Sequence, residues 1–262
     1  MSAHHFFLDN QVIASLTQEQ FVLELNEEDA RHAKVLRLQV GETISVVDAD
    51  RDYFLLKIHD FQDGLPVCSI TQKKQLEPAS HELILVQGIS KGEKMDSVMR
   101  GATEVGVDAL VPLACARSVA KVDAAKSAKK MARWQGIVRS AAMQAGRTHI
   151  PTVYEPCDIT QFSHMLTSED LVLVFWEEAS LDATIDAYVD AHREIMADCK
   201  RVYVVVGPEG GMEASEVEAL QASEAQVAVL TLGPSILRTQ TAGVVAPALV
   251  AHELRRGMVG AR

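Results

Sequence analysis

The C-terminal quarter of the chain constrains the fold most, because it contains the same three-part unit twice. Residues 202–206 (VYVVV) are β-branched and apolar, which predicts a buried strand, and the loop 207–211 (GPEGG) and a helical pattern over 213–222 follow it. A second strand over 226–232 leads into the loop 233–235 (GPS) and then a helix over 239–254. Strand, glycine loop and helix in succession indicate α/β crossover units, whose ligands bind outside the carboxyl ends of the strands.

Two glycine loops about one crossover apart favour a ligand site, whereas one such loop would as readily be a tight turn. Neither loop matches GxGxxG or GxxxxGK[ST], so the sequence indicates neither a dinucleotide nor a nucleoside triphosphate. We predict a small-molecule site of another kind, formed by both loops at one edge of the sheet.

Composition limits the classes of protein to which the chain can belong. Its 262 residues, 48% of them hydrophobic, suit two modest domains or one large domain. No apolar run is long enough to span a bilayer, and the first ten residues lack a signal-peptide pattern. The four cysteines have no CxxC spacing, which is typical of reduced thiols. We therefore expect a cytoplasmic protein with no membrane contact and no metal.

Charge is unevenly distributed along the chain. The net charge of −11 argues weakly against a nucleic-acid partner. Residues 117–147, however, contain eight Lys or Arg and one acid, and residues 155–198 contain eleven acids and one Arg. Such sectoring allows an acidic protein to have a basic face for phosphate groups. A solvated helix surface would show the same pattern, and charge alone does not separate the two interpretations.

The order of predicted elements divides the chain into two domains. Residues 1–72 predict a small β-rich barrel with one short helix, whose start is indicated by Asn26 and the acids that follow it (26–29, NEED). Residues 73–80 (KKQLEPAS) predict a linker. Residues 81–262 predict an α/β domain, including a strand over 83–87, a helix over 90–105 and a single helix over 181–198. From the pattern alone, this domain reads as an ordinary doubly wound sheet, because knots are nearly absent from proteins.

Several motifs resemble one known family. These motifs are GPEGG with LGPSILRTQTA, the segment 31–38 (RHAKVLRL) with Gly41, 91–95 (KGEKM), 103–107 (TEVGV), Arg133-Trp134 and 144–147 (QAGR). In this order they are similar to the RsmE family of 16S rRNA uracil-N3 methyltransferases, which belongs to the SPOUT class. The resemblance covers nearly the whole chain.

The resemblance implies a fold and partners that periodicity does not show. It implies a SPOUT domain with a trefoil knot formed by the loops at 175–178, 207–211 and 232–238, and a PUA-like RNA-binding barrel at the N-terminus. It also implies S-adenosylmethionine as cofactor, a homodimer, and methylation of N3 of a specific uridine in 16S rRNA of the small ribosomal subunit.

The resemblance also assigns candidate site residues. The expected cofactor-binding residues are Phe175, Glu177, Gly207, Pro208, Glu209, Gly210, Gly211, Leu232, Gly233, Ile236, Leu237, Arg238, Thr241 and Ala242. The catalytic candidates are Arg238, which would stabilise negative charge on the uracil oxygens, and Glu209, as a base or as a group that holds a loop amide; we favour the second role. Two positions depart from the family pattern, because Gln240 stands where Glu is usual and Ser235 where Arg is frequent.

Candidate RNA-binding residues lie in two basic segments, where spacings of three and four place their side chains in one helical sector. They are Arg31, Lys34 and Arg37 in the first segment, and Lys126, Lys129, Lys130, Arg133 and Arg147 in the second. Two other functions stay open: a tRNA ribose 2′-O-methyltransferase of the same class, and a non-catalytic RNA-binding factor in ribosome assembly.

Overall fold

The computed structural model describes residues 4–16, 18–76, 80–118 and 124–259, with residues 124–126, 197 and 257–259 described by their backbone. It divides into two compact units. The first comprises Met1–Pro78 together with Ala142–Ile150, and the second comprises Ala79–Ala141 with Pro151–Arg262. The sequence pattern placed residues 142–150 in the second domain, whereas the structure includes them in the first unit.

The first unit is built on a five-stranded sheet in the order β1-β3-β4-β5-β2. Its strands are β1 (His4–Phe7), β2 (Phe21–Val22), β3 (Thr43–Val47), β4 (Tyr53–Gln62) and β5 (Leu65–Lys74). The apolar core includes Phe6, Phe54 and Leu56, and Ala142 and Met143 pack into the same cluster. The return of the chain at residues 142–150 therefore completes the core of this unit.

One helix, α1 (Glu27–Leu36), accompanies this sheet. It begins where the sequence predicts, because the Asn26 side chain accepts a hydrogen bond from the Asp29 amide at 2.8 Å. Three acidic residues in its first turn complement the helix dipole. The helix ends at Arg37, whose φ of 54° is left-handed.

The second unit contains a seven-stranded sheet, with the path β12-β10-β11-β6-β7-β8 and β9 paired to β7. Its strands are β6 (Glu82–Gly88), β7 (Ala109–Ala114), β8 (Thr152–Val153), β9 (Cys157–Asp158), β10 (Asp170–Phe175), β11 (Arg201–Val206) and β12 (Gln226–Leu230). All their pairings are parallel. Most residues of β6, β10 and β11 are buried, as their continuous apolar runs predict.

Seven further α-helices follow α1 within the part of the chain that the structure describes. They are α2 (Lys94–Val105), α3 (Ala124–Gln144), α4 (Ile159–Met165), α5 (Ile185–Ala191), α6 (Arg193–Asp198), α7 (Ala214–Gln221) and α8 (Thr239–Val259). Helices α2 and α8 approach each other closely at Gly101, where a Cβ would stand 2.6 Å from Cγ2 of Val244. None of the helices in the described ranges has the length and apolar content that crossing a bilayer requires.

Two helix predictions need correction. The single helix over 181–198 is two short helices, because Thr184 caps α5 and His192 interrupts the run with φ −133° and ψ 40°. Helix α2 begins at Lys94, although its pattern suggested Ser90, because Gly92 has a φ of +63° that a right-handed helix cannot contain. The sequence pattern did not predict strands β2, β8 and β9, because each has only two residues and is too short to show an alternating pattern.

Candidate active site

The parallel sheet brings three predicted loops to one edge. Phe175 at the end of β10 is in register with Val206 at the end of β11 and with Leu230 at the end of β12. The segments that follow these residues therefore start side by side. Gln87, near the end of β6, is in register with Val206 on the other side of β11. The loop after β11 thus starts beside the segments after β10 and β6, and the loop after β12 starts beside the segment after β10.

A cavity of about 700 Å³ occupies this edge, a size suited to a small organic ligand. It is lined by every predicted cofactor residue except Thr241, which is exposed and donates its amide to the Arg238 carbonyl at 2.8 Å. Trp176, Pro234 and Ser235 also line the cavity and lie in the predicted loops 175–178 and 232–238, although they were not candidate residues. Sequence reasoning missed the other lining residues: Lys94, Leu181, Val206, Thr231, Thr239 and Gln240. For Lys94, the available signal was its place in the motif 91–95 (KGEKM).

The loop 207–211 has a backbone that glycine alone accommodates without strain. Gly211 has a φ of +73°, and its amide donates to the Pro208 carbonyl at 3.0 Å, closing the turn. A Cβ at Gly211 would overlap the Glu177 carboxylate and stand 2.8 Å from Glu177 Cδ. At Gly88, a Cβ would stand 2.6 Å from the Gly207 carbonyl carbon. Main chain therefore forms much of this side of the cavity.

Glu209 is held by the segment that begins helix α2. Its Oε1 accepts hydrogen bonds from Lys94 Nζ at 2.9 Å and from the Lys91 amide at 3.1 Å. Burial raises the pKa of Glu209, but the hydrogen bonds from Lys94, from the Lys91 amide and from its own amide outweigh burial, so the pKa lies below its ordinary value. This geometry favours a carboxylate that anchors the loop over one that removes a proton.

Two further contacts hold the same loop. The guanidinium of Arg117 donates to the Gly210 carbonyl at 3.3 Å and lies 3.7 Å from the Glu213 carboxylate. The Trp176 indole N–H donates to the Met212 carbonyl at 3.2 Å. Side chains that follow β6, β7 and β10 therefore fix the conformation of the loop that follows β11.

Arg238 is exposed and lines the cavity immediately before α8. Within the described ranges, no acidic side chain forms a salt bridge with it. Its charge is thus available to a ligand. A cation that stabilises a developing anion must be available in this way. Lys94 is a second cation on the cavity, but Glu209 already pairs with it.

The candidate RNA-binding residues lie in both units. Arg31, Lys34 and Arg37 are exposed on or just after α1, and the Arg31 Nε donates to the Glu27 carbonyl at 3.2 Å. Lys129 is exposed and Lys130 half-buried on α3. The Lys126 side chain lies outside the part of the chain that the structure describes. Trp134, the ring nearest these lysines in sequence, is buried and not available for stacking on a base.

Two arginines of the basic segment already have partners. Arg133 pairs through its guanidinium with Asp96, a buried carboxylate on α2. Arg147 is half-buried, and its guanidinium lies 3.1 Å from His149 Nε2. We therefore expect Lys129 and Lys130 to contribute more to phosphate binding than Arg133 and Arg147.

The cavity fits a nucleoside-containing cofactor such as S-adenosylmethionine. Phe175, Trp176 and Leu181 supply apolar surface, and the backbone at 207–211 and 231–238 supplies polar groups beside it. In the described ranges, no group of three or more His, Cys, Asp or Glu side chains is arranged to hold a metal ion. Burial raises the pKa of the Cys115 thiol to about 12, so this side chain stays neutral.

Comparisons with known proteins show the family to which the chain belongs. Residues 77–251 match the family model for the RNA methyltransferase domain. The ribosomal RNA small subunit methyltransferase E of Bacillus subtilis is 29% identical over 92% of this chain and 96% of its own length. The protein of the same name from Mycobacterium bovis is 31% identical over 84% of this chain and 82% of its own length. A crystal structure of a ribosomal RNA small subunit methyltransferase E from Neisseria gonorrhoeae contains bound S-adenosylmethionine. Its sequence is 25% identical to this chain, and the match covers 95% of this chain and 97% of that chain with a TM-score of 0.77.

Proposed function

Because the chain belongs to the RNA methyltransferase family that contains ribosomal RNA small subunit methyltransferase E, we propose that it methylates N3 of a uridine in 16S rRNA, using S-adenosylmethionine. The observation that carries the proposal is the single cavity formed by the loops after β10, β11 and β12. The Neisseria gonorrhoeae structure with bound S-adenosylmethionine has the same overall fold, an N-terminal β domain followed by a SPOUT-type α/β domain.

When bound, S-adenosylmethionine supplies an electrophilic methyl group, and the chain positions the acceptor for in-line displacement. Loop 207–211, held by Lys94, Arg117 and Trp176, keeps one wall of the cavity rigid. Uracil N3 bears a proton at neutral pH, and its loss places negative charge on the ring oxygens. Arg238, which has no acidic partner among the described residues, is the cation we assign to that charge.

RNA binding in this proposal uses both units. The exposed cations of α1 and α3 would contact phosphates, and the folded shape of the rRNA would provide specificity. We assign the first unit the role of a PUA-like RNA-binding domain. A ribosomal substrate would place the protein in the cytoplasm.

The knot and the homodimer also belong to the proposal. A trefoil knot through the loops at 175–178, 207–211 and 232–238 would keep the walls of the cavity together. Ile236 and Leu181 line the cavity and remain 86% and 62% exposed, which is unusual for large apolar side chains at a ligand site. A second copy of the chain would cover them.

Methyl transfer to small ribosomal subunits tests the proposal directly. Labelled S-adenosylmethionine is incubated with the protein and with subunits that lack the modification, and the labelled nucleoside is then mapped. We expect N3-methyluridine in 16S rRNA. Label on a ribose, or on tRNA instead of 16S rRNA, would favour the ribose methyltransferase, and cofactor binding without transfer would favour a non-catalytic assembly factor.

A further inference from the structure

Gln87 joins three segments of the second unit from the end of strand β6. Its side chain is 1% exposed, and Nε2 donates to Thr239 Oγ1 at 2.9 Å and to the Gly207 carbonyl at 3.3 Å. Thr239 is the first residue of α8, and Gly207 opens the loop after β11. One amide therefore connects a central strand with the loop after β11 and with the start of α8.

Thr239 closes the network. Its side chain is buried, and its hydroxyl donates to the Gly207 carbonyl at 2.7 Å while it accepts from Gln87. The Gly207 carbonyl thus receives two hydrogen bonds, one from each partner. Because Gln87 and Thr239 are buried, the bond between them is shielded from water and constrains the spacing of β6 and α8 more than an exposed bond would.

Packing fixes the Gln87 side chain in this position. A Cβ at Gly243 of α8 would overlap Gln87 Oε1 and would stand 3.1 Å from the Val98 methyl groups of α2. Within the described residues, Gln87 Oε1 has no hydrogen-bond partner. A buried acceptor without a partner destabilises the fold, so stability alone does not account for an amide at this position.

We propose that Gln87 and Thr239 are positioning residues for the cofactor: they hold Gly207 and the start of α8 at the separation that S-adenosylmethionine needs. Both Gly207 and Thr239 line the cavity, so a change in their separation changes its width. The inference rests on the proposed function, because S-adenosylmethionine is the cofactor that the proposed function requires. It adds two residues to the candidate site: Gln87, which lies outside the motifs, and Thr239, which lies in the motif LGPSILRTQTA but was not a candidate site residue.

Thr239→Val tests the inference, since valine has nearly the shape of threonine and lacks the hydroxyl. Thr239→Ser is the matched control, because it keeps the hydroxyl and loses only the methyl group. Calorimetry of the full-length protein should show that Thr239→Val weakens S-adenosylmethionine binding about tenfold, the effect of losing one well-placed hydrogen bond and leaving its partners unsatisfied. Thr239→Ser should bind within about twofold of the unchanged protein on the same scale.

Kinetics and thermal unfolding separate positioning from a purely structural role. A positioning role raises the KM for S-adenosylmethionine and leaves the KM for the RNA substrate unchanged. A structural role would lower the unfolding temperature and leave the affinity of the folded protein unchanged. Gln87→Met removes the donor from the other side, and its effect on affinity should combine less than additively with that of Thr239→Val, because the two residues share one network.

Each outcome is decisive. If the unchanged protein does not bind S-adenosylmethionine, the proposed function fails, whatever the variants do. If it binds and Thr239→Val binds equally well, or Thr239→Ser loses as much affinity as Thr239→Val, the inference is overturned. If Thr239→Val does not fold, Gln87→Met is measured in its place. Failure of both variants to fold would assign the network to stability and would also overturn the inference.

Discussion

The carboxylate of Glu177 lies directly against Gly211, where a Cβ would overlap it. Gly211 also has a φ of +73°, so two independent constraints require glycine at this position. The contact joins the segment after β10 to the loop after β11 on the wall of the cavity. The contact with Glu177 cannot be read from the motif GPEGG, because Glu177 lies thirty-four positions earlier in the chain.

Gly211→Ala should weaken S-adenosylmethionine binding, measured by calorimetry, by at least tenfold. Left-handed backbone costs alanine about 1 kcal/mol, and the clash with Glu177 must also be relieved by moving one wall of the cavity. Gly41→Ala is a matched control, because Gly41 has a φ of +91° and no atom within 4 Å of a Cβ. Equal effects of both variants on cofactor binding would show that the contact with Glu177 is unimportant.

Glu209→Gln should reduce cofactor affinity and keep the shape of the pH–rate profile above pH 6. The pKa of Glu209 lies below its ordinary value because of the Lys94 and Lys91 hydrogen bonds, so the carboxylate is already ionised throughout that range. Glutamine keeps the acceptor oxygen but loses the charge that Lys94 pairs with. A catalytic base would behave differently: its loss would abolish turnover at saturating cofactor.

Arg238→Ala should lower kcat about a hundredfold to a thousandfold, the usual effect of losing one donor to a developing anion. Cofactor affinity should change far less, because the residue is exposed at the mouth of the cavity. Arg238→Lys keeps the charge and should recover part of the rate. Near-normal turnover of Arg238→Ala in single-turnover assays would contradict the mechanism.

Lys129→Ala/Lys130→Ala should weaken RNA binding and leave S-adenosylmethionine affinity unchanged. Each lost phosphate contact should reduce the slope of log affinity against log salt by somewhat less than one unit. Arg133→Ala is the comparison, because its guanidinium pairs with the buried Asp96. We expect it to lower the unfolding temperature and to change the salt slope less than the lysine pair does. The reverse order would show that Arg133 is the phosphate ligand.

The α1 cations should be tested by Arg31→Ala, Lys34→Ala and Arg37→Ala and not by deletion of residues 1–72. Ala142 and Met143 pack in the core of the first unit, so deletion would expose them. The three substitutions together should weaken RNA binding across the same salt series. Binding and methylation of rRNA at the unchanged level would exclude α1 from the RNA interface.

His5 should make the first unit less stable in acid. Burial lowers the pKa of His5 to about 4, and its Nδ1 lies 2.8 Å from Ser45 Oγ. Between about pH 6.5 and pH 4 the unfolded chain binds more protons at this site than the folded chain, so stability falls as the pH falls, by about 3 kcal/mol in total. Urea unfolding at pH 7 and pH 4.5 measures the difference, and His5→Gln should remove that part of the pH dependence.

Sequence alone determined the helices and strands that have strong local signals, and it determined which two glycine loops form the candidate site. The Asn26 cap with its acidic first turn, the β-branched run of β11 and the paired glycine loops predicted their structures directly, because each depends on neighbours a few residues away. Together with the resemblance, those signals selected all five residues of loop 207–211 as lining the cavity. The resemblance carried by GPEGG and LGPSILRTQTA led to the family that the comparisons support.

Only the tertiary structure decided which distant residues complete these loops. Gln87 on β6, Lys94 at the start of α2 and Arg117 after β7 contact loop 207–211. Parallel pairing places β6 beside β11 and β7 beside β6, and no period or spacing in the sequence encodes that register. The same applies to residues 142–150, which complete the core of the first unit. Local patterns specify backbone conformation and burial, whereas contacts across a hundred residues follow from the order of strands in the sheet.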